Sequence, residues 1–186
     1  MVVSGDTGCG KTTQLPQLVL DDWIDKGKGG VCNILVTQPR RISAVSVAEH
    51  ISRERAEPVG QSTGYHIRLE TKKSTQTRLL LMTTGVLLRR LQTENNLEDV
   101  SHVFVDEVHE RDINTDFLLI VLKQLLRRKP ELKIILMSAT LNANLFVEYF
   151  SDLNGNNGSG VGAGVGSGSG SGVGLGSCAM ISIPGR

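Results

Sequence analysis

The chain has few cysteines, little net charge and no long apolar runs. Three cysteines occur in 186 residues, at Cys9, Cys32 and Cys178. The number is odd, the spacing is wide and no CxxC pair occurs. A disulfide framework or a zinc site is therefore not expected, and a reducing compartment is. The formal net charge is +1, so composition is silent on a nucleic-acid or acidic-lipid partner, and any such case must rest on local features. No apolar run approaches about 18 residues, so no membrane span and no membrane partner are expected. The first residues, MVVSGDTG, lack the charged start and long apolar stretch of a signal peptide. These absences point to an intracellular setting, cytoplasmic or nuclear. A strand-like run begins at residue 1 with nothing ahead of it, so the chain looks cut short there.

What is present is an alternation. Apolar runs rich in Val, Ile and Leu predict strands at Met1–Ser4, Cys32–Thr37, Gly64–Leu69, Leu79–Thr83, His102–Asp106 and Lys133–Ser138. They are apolar on both faces, as strands covered on two sides are. Between them, helical patterns run over Lys11–Lys26, Ile42–Ala56, Thr84–Thr93, Thr115–Arg128 and Ala143–Phe150. In the fourth, Phe117, Leu118, Val121, Leu122, Leu125 and Leu126 form one apolar face, and Arg127-Arg128-Lys129 suits a helix C-terminus. This order predicts an α/β domain: a mostly parallel sheet with right-handed crossovers. From Asn154 to Ser177 the chain is almost entirely Gly, Ser, Val and Asn. Such a stretch buries too little to offset the entropy of ordering. It reads as a flexible insert at 154–177 between the body at 1–153 and a final strand within 178–186, or else as a tail with a chance apolar end.

Two motifs carry chemistry. GDTGCGKTT fits G-x-x-x-x-G-K-[ST] and lies between a strand and a helix, the context this phosphate-binding loop requires. Its glycines let the backbone turn tightly, and its N–H groups and the helix N-terminus favour phosphate. Lys11 is expected to reach the β- and γ-phosphates, and Thr12 to place its hydroxyl on Mg²⁺. The second motif is DEVHER. Two adjacent carboxylates, Asp106 and Glu107, close a buried strand, and like charges there need something positive. On the shared rim of a parallel sheet, Asp106 is expected beside the strand ending at Ser4. There it would hold Mg²⁺ through water while Glu107 polarises the attacking water. Each motif alone has a bland reading: a Gly-rich turn with a surface lysine, or acids at a helix start. Joined, they point to a Mg²⁺-bound nucleoside triphosphate.

GDTGCGKTT, TQPRRISA, TTGVLLRRL, DEVHER and SAT stand in the order and spacing of DEAH-box (DExH) RNA helicases. The chain resembles that family, its RNA-helicase-A-like branch above all, over residues 1–153 and again at ISIPGR. The resemblance implies a RecA-like P-loop NTPase lobe with helices on both sheet faces. ATP or another NTP and Mg²⁺ would be its cofactors, and single-stranded or structured RNA its partner. It implies that Gly5, Asp6, Thr7, Gly8, Cys9, Gly10, Lys11, Thr12 and Thr13 hold nucleotide, with Thr12, Asp106 and Glu107 around the metal. Glu107, Lys11 and His109 would serve catalysis, His109 coupling to a second lobe. Arg40, Arg41, Thr83, Thr84 with Gly85, and Arg68 in GYHIRLE would contact RNA. RNA would then sit on the rim opposite the nucleotide. Ser138, Ala139 and Thr140 would relay nucleotide state to the RNA side.

Two departures qualify this. His50 stands where many relatives carry Arg against the adenine; an imidazole also stacks, but it is smaller and mostly neutral at pH 7. No second RecA-like lobe with arginine fingers follows Arg186 in this chain. An arginine finger contributes about 10³–10⁵ in rate, so the chain alone is expected to turn over slowly and not to unwind duplexes. The reading is the ATP-binding lobe of an ATP-dependent RNA helicase; the alternative is a truncated, non-catalytic nucleotide- or RNA-binding module.

Overall fold

The computed structural model describes residues 1–93, 97–139, 144–151 and 178–183. The strands are β1 (Val2–Gly5), β2 (Ile34–Gln38), β3 (Thr63–Ile67), β4 (Glu70–Lys72), β5 (Leu79–Thr83), β6 (His102–Val105), β7 (Lys133–Ser138) and β8 (Met180–Ile183). The helices are α1 (Lys11–Asp25), α2 (Arg41–Glu54), α3 (Thr84–Thr93), α4 (Ile113–Arg128) and α5 (Asn144–Ser151). Among the described residues the strands form one sheet in the order β4-β3-β5-β2-β6-β7-β1-β8. Every pairing is parallel except that of β3 with β4. The α/β architecture expected from the alternation is therefore the observed one.

The two-sided apolar strands explain the layering. Alternate residues of one strand face opposite sides, and here both sides are covered. Leu35, Leu80, Met82, Val103 and Val105 pack with residues of α3, α4 and α5. Ile34, Val36, Leu79, Leu81 and Phe104 pack with residues of α1 and α2. The central strands β2 and β6 are buried at every position. Burial of this kind stabilises by about 25 cal/mol per Å² of apolar surface, and it fixes where the strand ends fall.

Four local expectations need correction. First, β4 was not foreseen: three exposed residues returning antiparallel after a tight turn carry no apolar signal. Second, Phe117 does not share the buried face of α4. It is 52% exposed, with Ile113 and Ile120 also outside, while Leu118, Leu119, Leu122 and Leu125 are buried. Phe117 and Leu118 are neighbours about 100° apart on the helix, and the sheet selects the leucine. Third, β6 stops at Val105, so Asp106 lies just beyond the strand expected to include it. Fourth, β6 does not lie beside β1; β7 separates them. At the chain end, β8 forms and pairs with β1, Val2 with Met180 through Gly5 with Ile183. The segment 154–177 lies outside the described residues.

Candidate nucleotide and nucleic-acid site

The strand order decides which groups meet. The connections leaving β1, β7, β6, β2, β5 and β3 all emerge from one edge, because those strands run parallel. At that edge the chain presents the Gly-rich turn after β1, Ser138 and Ala139 at the end of β7, and Asp106 and Glu107 after β6. Next along it come Arg40 and Arg41 after β2, Thr83 and Thr84 at the end of β5, and Arg68 after β3. The residues expected to contact RNA therefore lie on the same rim as the nucleotide motif, along the neighbouring half. The expectation of opposite rims is wrong, for the parallel sheet leaves all these segments at its C-terminal edge.

The turn from Gly5 to Gly10 enters α1 without a side-chain cap, and the first turn of the helix carries no acid. Its leading N–H groups therefore keep their capacity for an external acceptor. Gly10 has φ 88°, the left-handed region that a Cβ disfavours. Gly5 is needed for a different reason: a Cβ there would come within 2.9 Å of the Ile183 carbonyl oxygen. Asp6, Thr7 and Gly8 form the exposed crest. Lys11 is only 7% exposed. Its ammonium donates to the carbonyls of Gly5 at 2.6 Å and Asp6 at 2.8 Å, and lies 3.5 Å from Cys9 Sγ. The positive charge is thus held over the cradle. Thr13 Oγ1 donates to the Gly10 carbonyl.

Across the intervening β7 edge, the first turn of α1 meets the acidic pair. Thr12 Oγ1 donates to Asp106 Oδ2 at 2.6 Å. Asp106, 4% exposed, also accepts from the Glu107 N–H at Oδ1, 2.9 Å. Gln38 Nε2 donates to Asp106 Oδ2 at 2.7 Å from a wholly buried position. Gln38 was not singled out from the sequence. Its signal in the sequence is a polar residue closing an apolar strand.

Glu107 sits at φ 54°, a conformation rare outside glycine. Burial, and then the neighbouring Asp106, push its carboxyl above the usual range; His109 and Lys11 act in the opposite direction. His109 joins two segments. Its Nδ1 accepts from the Ala139 N–H at 3.1 Å, which leaves the ring proton on Nε2, 3.3 Å from Glu107 Oε2. The ring therefore orients Glu107 from the end of β7. Ser138 is buried, and Thr140 lies outside the described residues.

On the neighbouring half, Arg40 is 73% exposed in its side chain and pairs with Glu110 at 3.2 Å. Arg41 opens α2 and is exposed, as is Arg68 at the β3–β4 turn. Thr84 corrects an expectation: it is buried, with its hydroxyl 3.5 Å from the Gln38 carbonyl, so its side chain faces the interior. Thr83 is half-buried. His50 lies on α2, half-exposed, 3.2 Å from Glu54 Oε1. Glu54 also accepts from Gln14 and Gln17 of α1, which puts His50 on the α1 side of the rim. The three cysteines are all free. Among the described residues no helix is long and apolar enough to cross a membrane.

Comparison with known proteins places the sequence in a family. A family profile described as DEAD/DEAH box helicase matches residues 1–146. The chain is 62% identical over 152 residues to the DExH-box ATP-dependent RNA helicase DExH1 of Arabidopsis thaliana, covering 82% of this chain and 15% of that protein. It is 54% identical over 151 residues to the ATP-dependent RNA helicase DHX30 of Homo sapiens, covering 81% and 13%. It is 48% identical over 187 residues to the ATP-dependent DNA/RNA helicase DHX36 of Bos taurus, covering 99% and 16%. The chain spans less than a fifth of the length of each of these relatives.

Proposed function

The chain belongs to the DEAD/DEAH box helicase family, and on that premise we propose that it is the lobe that binds and hydrolyses ATP in an ATP-dependent RNA helicase. The single observation that carries this reading is the 2.6 Å contact between Thr12 and Asp106, 94 positions apart. It brings the phosphate loop and the acidic pair to one point.

The donor set there fits Mg²⁺. The groups are a hydroxyl and a carboxylate, hard oxygen donors of the kind that ion prefers. Thr12 gives its proton to Asp106, so the lone pairs of its oxygen stay open to a cation. Thr12 and Asp106 would hold Mg²⁺, with Glu107 beside them; when bound, the ion supplies positive charge to the β- and γ-phosphate oxygens. The backbone N–H groups entering α1 cradle the phosphates. Lys11 exchanges its carbonyl partners for phosphate oxygens and neutralises charge that builds on them.

Glu107 accepts a hydrogen bond from the attacking water and takes its proton. The water oxygen bonds to the γ-phosphorus while the bond to the β–γ bridging oxygen breaks, releasing ADP and phosphate. A carboxyl raised by burial is a better proton acceptor than an exposed one. His109, tied to the Ala139 N–H, holds Glu107 in line, so a shift of the segment after β7 alters the base. Arg40, Arg41 and Arg68 offer exposed charge to RNA phosphates along the neighbouring half of the rim. Such contacts carry no base information and weaken with salt.

The experiment is ATP turnover by the full-length protein that carries this lobe, with and without single-stranded RNA. RNA-stimulated turnover that Lys11→Ala or Glu107→Gln abolishes is the expected outcome. Unchanged hydrolysis in both variants removes the assignment.

A further inference from the structure

Gln38 closes a strand that is buried at every position. A primary amide left unpaired in such a place is costly, so its partners matter. Its Nε2 donates to Asp106 Oδ2 at 2.7 Å. The nitrogen must face that way, since a carboxylate only accepts and the amide oxygen would be repelled. Asp106 is therefore gripped from separate elements: Thr12 of α1, the Glu107 N–H of the turn after β6, and Gln38 of β2. Of these, Gln38 comes from the half of the rim that carries the exposed arginines.

The other end of the residue ties into that half. Its carbonyl lies 3.5 Å from the Thr84 hydroxyl at the start of α3, and Gln38 registers with Thr83 across β5. Only Pro39 separates it from Arg40 and Arg41. A proline locks its own φ and restricts the residue before it. The link from the arginines to Gln38 is thus short and stiff. Gln38 is also neutral: it orients the carboxylate without discharging it. A lysine there would neutralise Asp106 and compete with a divalent cation.

We propose that Gln38 is a positioning residue through which phosphate binding at Arg40 and Arg41 is coupled to the cation-holding carboxylate Asp106. This rests on the functional reading above. When a polyanion draws the Pro39–Arg41 segment outward, the amide alters its grip on Asp106, and cation and nucleotide affinity change with it. Linkage makes the effect reciprocal.

The test uses the 186-residue chain, a fluorescent non-hydrolysable ATP analogue, and oligouridylate. Analogue affinity is measured in Mg²⁺ and in EDTA, each with and without the RNA. For the wild type, RNA changes affinity in Mg²⁺ by about fivefold or more. Gln38→Met keeps the volume and removes the donor, and Gln38→Asn keeps a neutral amide but withdraws it by one methylene. Both are expected to bring the RNA effect to within about twofold of none and to weaken binding in Mg²⁺ about tenfold, the loss of one charged hydrogen bond. Binding in EDTA and RNA binding without nucleotide stay near wild type, and the melting temperature of Gln38→Met falls by only a few degrees, as one lost buried hydrogen bond requires. A purely structural role would instead lower all of them together and would overturn the proposal. So would a full RNA effect retained in either folded variant, or a wild type whose nucleotide affinity ignores RNA. A wild type that binds no nucleotide at all overturns the functional reading itself.

Discussion

Replacing Glu107 by Gln should make the fold more stable at neutral pH while removing the proposed base. Glu107 is half-buried beside Asp106, and burial followed by that neighbour raises its carboxyl above the ordinary value. Two like charges near a surface of effective dielectric about 20 repel by a few kcal/mol. His109 and Lys11 offset part of this, and the balance stands against the folded state. Gln keeps the shape, the left-handed backbone cost and an acceptor for His109 Nε2, so those terms cancel in the comparison. The folded chain holds the Glu107 proton more tightly than the unfolded chain does. Stability therefore falls as pH rises from the ordinary carboxyl value through the raised native one, and the penalty is complete above it. Melting curves of wild type and Glu107→Gln, each followed by circular dichroism at pH 4.5 and pH 7.5, isolate the effect. At pH 7.5 the variant should melt higher than wild type, each 1 kcal/mol of relieved repulsion being worth roughly 2–4 °C in a chain of this size. The gap should narrow at pH 4.5. A variant that melts lower than wild type at pH 7.5 refutes the reasoning.

Three further outcomes follow from the packing. His102 is pushed down to about 4 by burial and then by Lys133. The unfolded chain takes up its proton first, near pH 6.5, so stability should fall by roughly 2–3 kcal/mol as pH drops from that value toward 4; His102→Gln should flatten this limb in a pH series of melts. On α4, Phe117→Ala should cost under about 1.5 kcal/mol because the ring is mostly in solvent, whereas Leu122→Ala should cost about 2–5 kcal/mol; equal losses in urea unfolding would contradict the observed helix face. Gly5→Ala should lower both the melting temperature and nucleotide affinity, since its methyl group would press on the Ile183 backbone 2.9 Å away; unchanged values for both would show that β8 yields freely.

Much of the architecture was legible because periodicity reports burial. Leu79–Thr83 and Lys133–Ser138 fall at the same bounds in sequence and structure, each an unbroken apolar run between polar flanks. The phosphate loop and the acidic pair were legible as residue types whose chemistry demands a shared ligand, and they meet at Thr12 and Asp106. What escaped depended on long-range order. Period alone could not say that β7 lies between β1 and β6, because strand order is set by crossovers and not by local pattern. For the same reason the arginines after β2 were expected on the wrong rim. Gln38 escaped because a single polar residue at a strand end has no signature until its partner, 68 positions away, is known. Phe117 was misjudged because α4 is apolar around more than one face, and only the sheet decides which stripe it covers.

The most direct test of the central claim is nucleotide affinity with and without Mg²⁺ in wild type, Lys11→Ala and Asp106→Ala. A fluorescent ATP analogue should bind the wild type more tightly in Mg²⁺ than in EDTA. Asp106→Ala should erase that difference, and Lys11→Ala should weaken binding in both conditions. A wild type indifferent to Mg²⁺, or an Asp106→Ala protein that keeps the full Mg²⁺ effect, would contradict the convergence of these groups on one metal-bound triphosphate.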